Sequence, residues 1–527
     1  MFLQFYSQPP VPQTKEPDFP LRQDKRNLYY AIGVTTLFLI VGGYGAAHHE
    51  MWRDEIQAWL LARDSTSVFD LLANMKYEGH PALWHLCLMP LTRITHSPII
   101  MQVFHLLIAA TTVFLFTRYA PFHWIHKFLF TFGYFALYEY AIIARNYALG
   151  MLLITIFCVL YRERYKRFVW IGIVLILLSH TSVHALIVAI SIGVALMVEY
   201  LYFYCCKEET LTGNRLPIWL GFALIGIGIV TAILQLNPPS DTGFAVGWNF
   251  NLKIERINNI TKIMTQALLP FPKAVVGFWG RNRFNDIGLF QLIRLPLCHL
   301  IFFWCILRFM KRPTALVTYF MATVGLLAFF YVKYGGSIRH HGFLFITFVF
   351  TSWIYYDCPE IDRPFSRISA LAQKCFGPVF TVLLIVNFLG GMTAIRMDSQ
   401  HIFSNAKRTA EYIKEQGMQD MIMVGHGSPP ASTIVGYLEK DRMFYPQGTR
   451  FSSFVRWDRA RGNIVTNEDI VIKAEQLSLQ HTQNVLIILN YVLGEGLIEQ
   501  YQLMFLNSFT GATIGNESYH LYLLKTN

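Results

Sequence analysis

Charge is what this sequence is short of. Only 15% of its 527 residues are Asp, Glu, Lys or Arg, against about a quarter in a soluble chain. That deficit excludes a surface that faces water everywhere. Cysteine is sparse as well. There are eight, with no CxxC pair and none after Cys375, so the C-terminal region has no disulfide framework. Cys205 and Cys206, beside Lys207, read as reduced structural thiols on the cytoplasmic side. No internal repeat or low-complexity tract stands out, which argues against a repeat-built transporter. No small-residue cleavage site follows the first apolar run, so no cleavable signal peptide is expected.

What the chain has is apolar and aromatic surface: 54% hydrophobic residues and 15% aromatics, which suits lipid contact and interfacial belts. The formal net charge of +11 could suggest nucleic acid. The basic residues instead gather at the ends of apolar runs, as the positive-inside rule requires, and no nucleic-acid partner is expected. Runs at 28–47, 98–117, 127–144, 147–161, 168–178, 184–204, 218–236, 289–307, 314–332, 342–356 and 377–394 predict a polytopic α-helical membrane protein with about 11 transmembrane helices. The basic loops around Arg118, Arg164, Lys207, Arg312 and Arg363 then alternate onto one side. They share it with a cytoplasmic N-terminal segment, 1–27, which ends in Gln23-Asp24-Lys25-Arg26. A transmembrane domain over 28–397 carries outer loops at 48–97 and 237–288. In the first of these, 81–91 is too short to span and reads as an interfacial helix. From 398 to 527 the composition turns soluble. A helix over 404–417 and strands at 420–424, 484–489 and 519–524 predict a small extracytoplasmic α/β domain.

The ionisable residues of the apolar part collect on that outer face. Trp52-Arg53-Asp54-Glu55 follows the first span, and Tyr77-Glu78-Gly79-His80-Pro81 lies in the same loop. Glu139, Arg145-Asn146-Tyr147, Lys333 and Arg339-His340-His341 fall at outer span ends. Charge at such depth is costly and marks function by default. One carboxylate can take a proton from an acceptor hydroxyl. Arg and His can hold a phosphate leaving group. Asp54 or Glu55 could be that base. The like charge of Glu55, with partial burial, is expected to raise the affinity of Asp54 for a proton. His180 and His184 are spaced i, i+4 but read as span-end histidines rather than metal ligands. Asp241 and Asp286 read as solvated loop acids.

Taken in order, Asp54-Glu55, Glu78-Gly79-His80-Pro81-Ala82-Leu83-Trp84 and Arg145-Asn146-Tyr147-Ala148-Leu149 resemble motifs of the GT-C membrane glycosyltransferases. The likeness is greatest to the bacterial protein O-mannosyltransferase and lipid A aminoarabinose transferase branch, a glycosyltransferase family 39-like group. It covers roughly residues 28–350. It implies a GT-C fold and a bacterial inner-membrane enzyme. That enzyme moves a sugar, with inversion, from a polyprenyl-phosphate donor to a glycan, lipid or protein acceptor outside. It implies Asp54 or Glu55 as catalytic residue. His80, Glu139, Arg145, Tyr147, Lys333, Arg339 and His340 would line the donor phosphate. A divalent metal (Mg, Mn or Zn) is optional in such proteins. Two departures are visible. Ala82 replaces the second Pro of the family's Pro-Pro pair, and Asn146 stands where relatives often carry an acid, which weakens a metal bridge between the loops. The competing expectations are a lipid-linked saccharide flippase and an O-antigen polymerase-like protein.

Overall fold

A computed structural model describes residues 25–205, 215–243, 247–360 and 366–526. Most of the N-terminal segment, Cys206 with Lys207, and Asp362-Arg363 lie outside the described residues. The chain starts as α1 (Lys25–His48). It then forms α2 (Arg53–Asp64), α3 (Val68–Met75) and α4 (Leu83–Thr92) before α5 (Ile99–Tyr119) returns to the apolar layer. Next come α6 (Trp124–Thr131), a π-helix (Tyr134–Ile142), α7 (Tyr147–Tyr161), α8 (Phe168–Ser179), α9 (Val183–Cys205) and α10 (Leu216–Leu236). α11 (Ile254–Leu268) lies in the second outer segment. It is followed by α12 (Gly288–Phe309), α13 (Pro313–Val332), α14 (Ile338–Ile354), α15 (Ser366–Lys374) and α16 (Phe376–Gln400).

Every expected apolar run is helical, and the runs differ in length. Among the described residues, seven helices are long and apolar enough to cross a bilayer: α1, α5, α9, α10, α12, α13 and α16. α7, α8 and α14 have only 15, 12 and 17 residues. The run at 127–144 breaks at Gly133 into α6 and the π-helix. Hydropathy counts apolar runs. It does not see that about 20 residues at 1.5 Å each are needed to span lipid. The short helices are packed against protein instead. On α14, every residue except Arg339 is buried.

The two faces of the bundle are distinct. On one, Arg164 pairs with Glu199 at 2.5 Å, and Tyr161, Tyr165 and Thr314 donate to the same carboxylate. On the other, the ends of α1 and α16 meet where His49 Nδ1 contacts Asp398 Oδ2 at 2.8 Å. Gly390 and Gly391 permit close packing here. A Cβ on Gly390 would lie 1.9 Å from the Pro270 carbonyl oxygen, and one on Gly391 2.8 Å from that of Phe132.

α16 runs to Gln400, so the soluble domain begins at His401. It contains α17 (Ala406–Glu415), β1 (Ile422–Gly425), α18 (Ser428–Tyr437), β2 (Met443–Tyr445), β3 (Arg450–Ser452), α19 (Asn467–His481), β4 (Val485–Leu489), α20 (Glu495–Gln500), β5 (Met504–Phe509) and β6 (Tyr519–Leu524). The sheet order is β3-β2-β1-β4-β6-β5. β2, β1 and β4 are parallel, with Ile422 opposite Val485 and Gly425 opposite Ile488. β3, β6 and β5 join antiparallel. Successive strand residues face opposite ways. Val485, Ile487 and Leu489 pack on Ile470, Val471 and Ala474 of α19. Leu486 and Ile488 share a core with Ile56, Trp59 and Leu60 of α2. The domain therefore closes over α2, on the face where α1 ends.

Candidate functional site

The site is built on the first turn of α2. Two glutamates satisfy its first backbone N–H groups, which otherwise lack helical partners. Glu55 accepts from Trp52 N at 3.2 Å, and Glu517, from the C-terminal domain, accepts from Arg53 N at 3.0 Å. Glu55 is fully buried. Its other oxygen accepts from Ala144 N at 2.6 Å, and His49 Nε2 lies 3.0 Å from Oε2. Burial opposes charge on His49, but Asp398 and Glu55 hold its imidazole protonated well above the usual range. Glu55 thus ties α2 to the short loop between the π-helix and α7 and points away from the open side. Glu517 is also fully buried, and burial pushes its carboxyl up to about 7 against hydrogen bonds from Ser404 and Arg53.

Asp54 faces the other way. Its carboxylate accepts from Arg339 Nη2 at 2.8 Å and lies 3.7 Å from Arg53 Nε. Arg145 donates to its backbone carbonyl. The expectation of a raised Asp54 pKa is corrected here. Burial does push it up, but Arg339, then Arg145 and Arg53, outweigh that and hold it below the usual carboxylate range. Glu55, turned inward, has no place among those causes.

Arg339 is held in an aromatic frame. Its guanidinium lies 5.2 Å from the Trp52 ring and 5.4 Å from the Trp279 ring, both within cation–π range. Trp279 donates to Glu139 at 3.1 Å, and Tyr134 donates to the same oxygen at 3.0 Å. Tyr140, next along the π-helix, donates to the Arg339 carbonyl at 2.7 Å. Single π-turns inside helical runs often occur at functional sites. His340 accepts from Ser337 N at 2.8 Å, capping α14. Its ring lies 5.5 Å from Tyr147 and 4.8 Å from His184. His180 contacts Thr231 at 3.1 Å instead, so the two i, i+4 histidines part.

His80 stacks on His85 with centroids 5.3 Å apart. Burial, with Arg145 beside it, pulls the His80 imidazole down to about 4. Glu78 accepts from Gln57 at 2.8 Å, and burial pushes its carboxyl up to about 7. Lys333 lies 4.9 Å from the Trp248 ring and lines a cavity of about 440 Å³ with Arg256, Asn259, Tyr331 and Tyr334. Tyr334 joins that cavity to the site, its ring 5.5 Å from His340. Asp241 is an exposed loop acid, as expected, and Tyr77 donates to it at 2.9 Å.

Several buried polar atoms of this cluster have no hydrogen-bond partner among the described residues. They include Arg145 Nε, Arg339 Nε, Trp52 Nε1, Glu139 Oε1 and His80 Nδ1. Such atoms are rare in a settled interior and call for a partner. A divalent metal does not fit. No group of three His, Cys, Asp or Glu able to hold one occurs among the described residues. The one carboxylate at the centre faces three guanidinium groups, and Asn146 spends its amide on the Thr181 carbonyl at 2.5 Å.

Sequence reasoning missed Trp279, Asp398 and Glu517, which nothing local marks.

No protein-family model matches the chain, and no curated protein matches it. Solved structures do. The apo structure of ArnT from Cupriavidus metallidurans superposes with a TM-score of 0.51 at 11% identity. The match covers 95% of this chain and 99% of that one. The structure of the same protein bound to undecaprenyl phosphate gives 0.49 at 11% identity, covering 94% and 98%. The likeness to the apo structure shows the fold: a polytopic helical architecture followed by a C-terminal mixed sheet.

Proposed function

We propose that this chain is an inverting glycosyltransferase. Its donor is a sugar linked to a polyprenyl phosphate, and its acceptor is a hydroxyl on the extracytoplasmic face of a bacterial inner membrane. The observation that carries the reading is the pair Arg339 and Arg145 around Asp54, each with a buried Nε–H lacking a partner. Two guanidinium groups with N–H bonds to spare suit the phosphate of a lipid donor. The ArnT-like fold supports it.

Asp54 is the base in this reading, and Glu55 positions it. As the acceptor O–H attacks the anomeric carbon, its proton passes to an Asp54 oxygen. The bond from that carbon to the phosphate oxygen breaks, and its electrons leave on the lipid phosphate. Arg339 turns from Asp54 to the phosphate as negative charge grows there. Releasing Asp54 from its ion pair raises its basicity at the step that needs a base. His340 and Tyr147 wall the phosphate, and Glu139 holds Trp279 behind Arg339. His80 borders Asp54 on the Arg145 side. The lipid enters past Lys333 and Arg256. Trp248, which lines that cavity, is exposed together with Phe250, Leu252 and Ile254, an apolar stretch suited to the bilayer surface.

The test is purified full-length protein in nanodiscs, given radiolabelled polyprenyl-phosphate sugars and a membrane extract as acceptor. Label should leave the donor fraction with the wild type. With Asp54→Asn turnover should fall about 10²- to 10⁴-fold while donor binding persists. No transfer from any such donor sinks the function, and near-normal turnover with Asp54→Asn sinks the base.

A further inference from the structure

The C-terminal domain sends one loop back over the site. Residues 455–461 run Val455-Arg456-Trp457-Asp458-Arg459-Ala460-Arg461. The loop is docked at each step. Gln57, one turn along α2 from Asp54, donates to Val455 O at 2.7 Å and accepts from Val455 N at 2.9 Å. Arg456 donates to Tyr77 at 2.6 Å. Gly243 N donates to Trp457 O, and Arg459 N to Asp241 O, both at 2.8 Å. The Trp457 side chain hydrogen-bonds Glu78, which lies close enough to Asp54 and Arg145 to feel their charge. Arg461 covers the Trp457 ring at 4.1 Å and lies near enough to Arg53 to be repelled by it.

Asp54 therefore has two flanks. On the bundle side stand Arg339, Trp52, Trp279 and the cavity beside Lys333. On the outer side stand Arg53, Glu78, Trp457 and Arg461. A single displacement with inversion needs donor and acceptor on opposite faces of the anomeric carbon. The donor carries a membrane tail and takes the bundle side, which leaves the outer flank for the acceptor. The chemistry of that flank is specific. The loop carries Arg456, Arg459 and Arg461 against one acid, Asp458, which Arg450 already holds at 2.6 Å. An indole with a guanidinium over it fits a sugar ring that bears an anion.

We infer that loop 455–461, with Arg53 and Glu78, forms the acceptor subsite, and that it selects an anionic saccharide through Trp457 and Arg461. This rests on the glycosyltransferase reading. It adds that the C-terminal domain supplies specificity, and it names the acceptor class.

The experiment uses the full chain in nanodiscs and saturation-transfer NMR with two probes, glucose 1-phosphate and glucose. Glucose 1-phosphate should show ring-proton transfer that glucose shows weakly or not at all. Arg461→Ala should weaken its binding about tenfold or more. Trp457→Ala should abolish the ring-proton signal, whereas Trp457→Phe, which keeps an aromatic face, should retain most of it. Decaprenyl phosphate binding, measured in parallel, should be unchanged in all three variants. Equal glucose 1-phosphate binding in wild type, Arg461→Ala and Trp457→Ala overturns the inference. So does loss of decaprenyl phosphate binding in those variants with an unchanged thermal midpoint, because the flank would then belong to the donor. Failure of the wild type to bind decaprenyl phosphate counts against the glycosyltransferase reading instead.

Discussion

Asp54 and Glu55 are neighbours in sequence but point about 100° apart on α2, since a helix turns once in 3.6 residues. One lies open to three guanidinium groups and the other is sealed. The consequence shows in the pH dependence. In the proposed reaction Asp54 acts ionised, and Arg339 holds its carboxyl below the usual range. Arg339→Ala should move the acidic limb of kcat/KM to higher pH, and an unmoved limb would separate the activity from Asp54. Glu517 gives a second, opposite case. Its carboxyl rises from 4.5 to about 7 in the folded protein, so between those values the folded chain keeps a proton that the unfolded chain releases. Stability must therefore fall as pH rises through that window and level off above it. The rise is worth up to about 3 kcal/mol, at about 1.4 kcal/mol per pH unit. Glu517→Gln should flatten the thermal midpoint of the detergent-solubilised protein between pH 4.5 and 8. A wild-type slope retained in the variant would assign it to other acids, Glu78 first.

At the scale of elements, the π-helix and α16 decide whether Glu139, Tyr140 and Trp279 reach Arg339. The two glycines of α16 let the Phe132 and Pro270 backbones come within contact of the helix. Gly390→Ala puts a methyl 1.9 Å from the Pro270 oxygen, a clash with backbone that cannot rotate away. Overpacking of this kind costs about 1–3 kcal/mol or more. The thermal midpoint should drop and transfer activity should fall with it. Gly226→Ala is the control. Nothing lies within 4 Å of a Cβ there, and removing a helical glycine should stabilise α10 by about 0.5–1 kcal/mol. Equal midpoints for the two variants would show that the close approach carries no weight.

For the molecule as a whole, the sheet and the first outer loop share one hydrophobic core, in which Leu486, Ile488 and Leu521 meet Ile56, Trp59 and Trp84. The C-terminal domain and the site therefore lie on one side of the bundle, and the basic loops lie on the other. We propose, from the positive-inside rule, that this shared side is extracytoplasmic. Alkaline phosphatase fused after Asn527 should be active and a cytoplasm-only reporter silent. The reverse pattern would invert the topology and move the site to the cytoplasm.

Sequence alone determined the class of solvent. Apolar runs, flanking charges and the quartet Trp52-Arg53-Asp54-Glu55 are local signals, and a bilayer acts on local segments of about 20 residues. The strands β1, β4 and β6 were legible for the same reason, as short apolar runs, whereas β2 and β3, of three residues each, carry too little pattern. Tertiary structure decided the rest. Arg339 meets Asp54 across 285 positions, Asp398 meets His49 across 349, and Glu517 meets Arg53 across 464. No periodicity spans such intervals. Which runs cross lipid and which are buried in protein depends on how neighbouring helices pack. Which of two adjacent carboxylates faces the substrate side depends on a helix phase that Ala144, His49 and the C-terminal domain fix together.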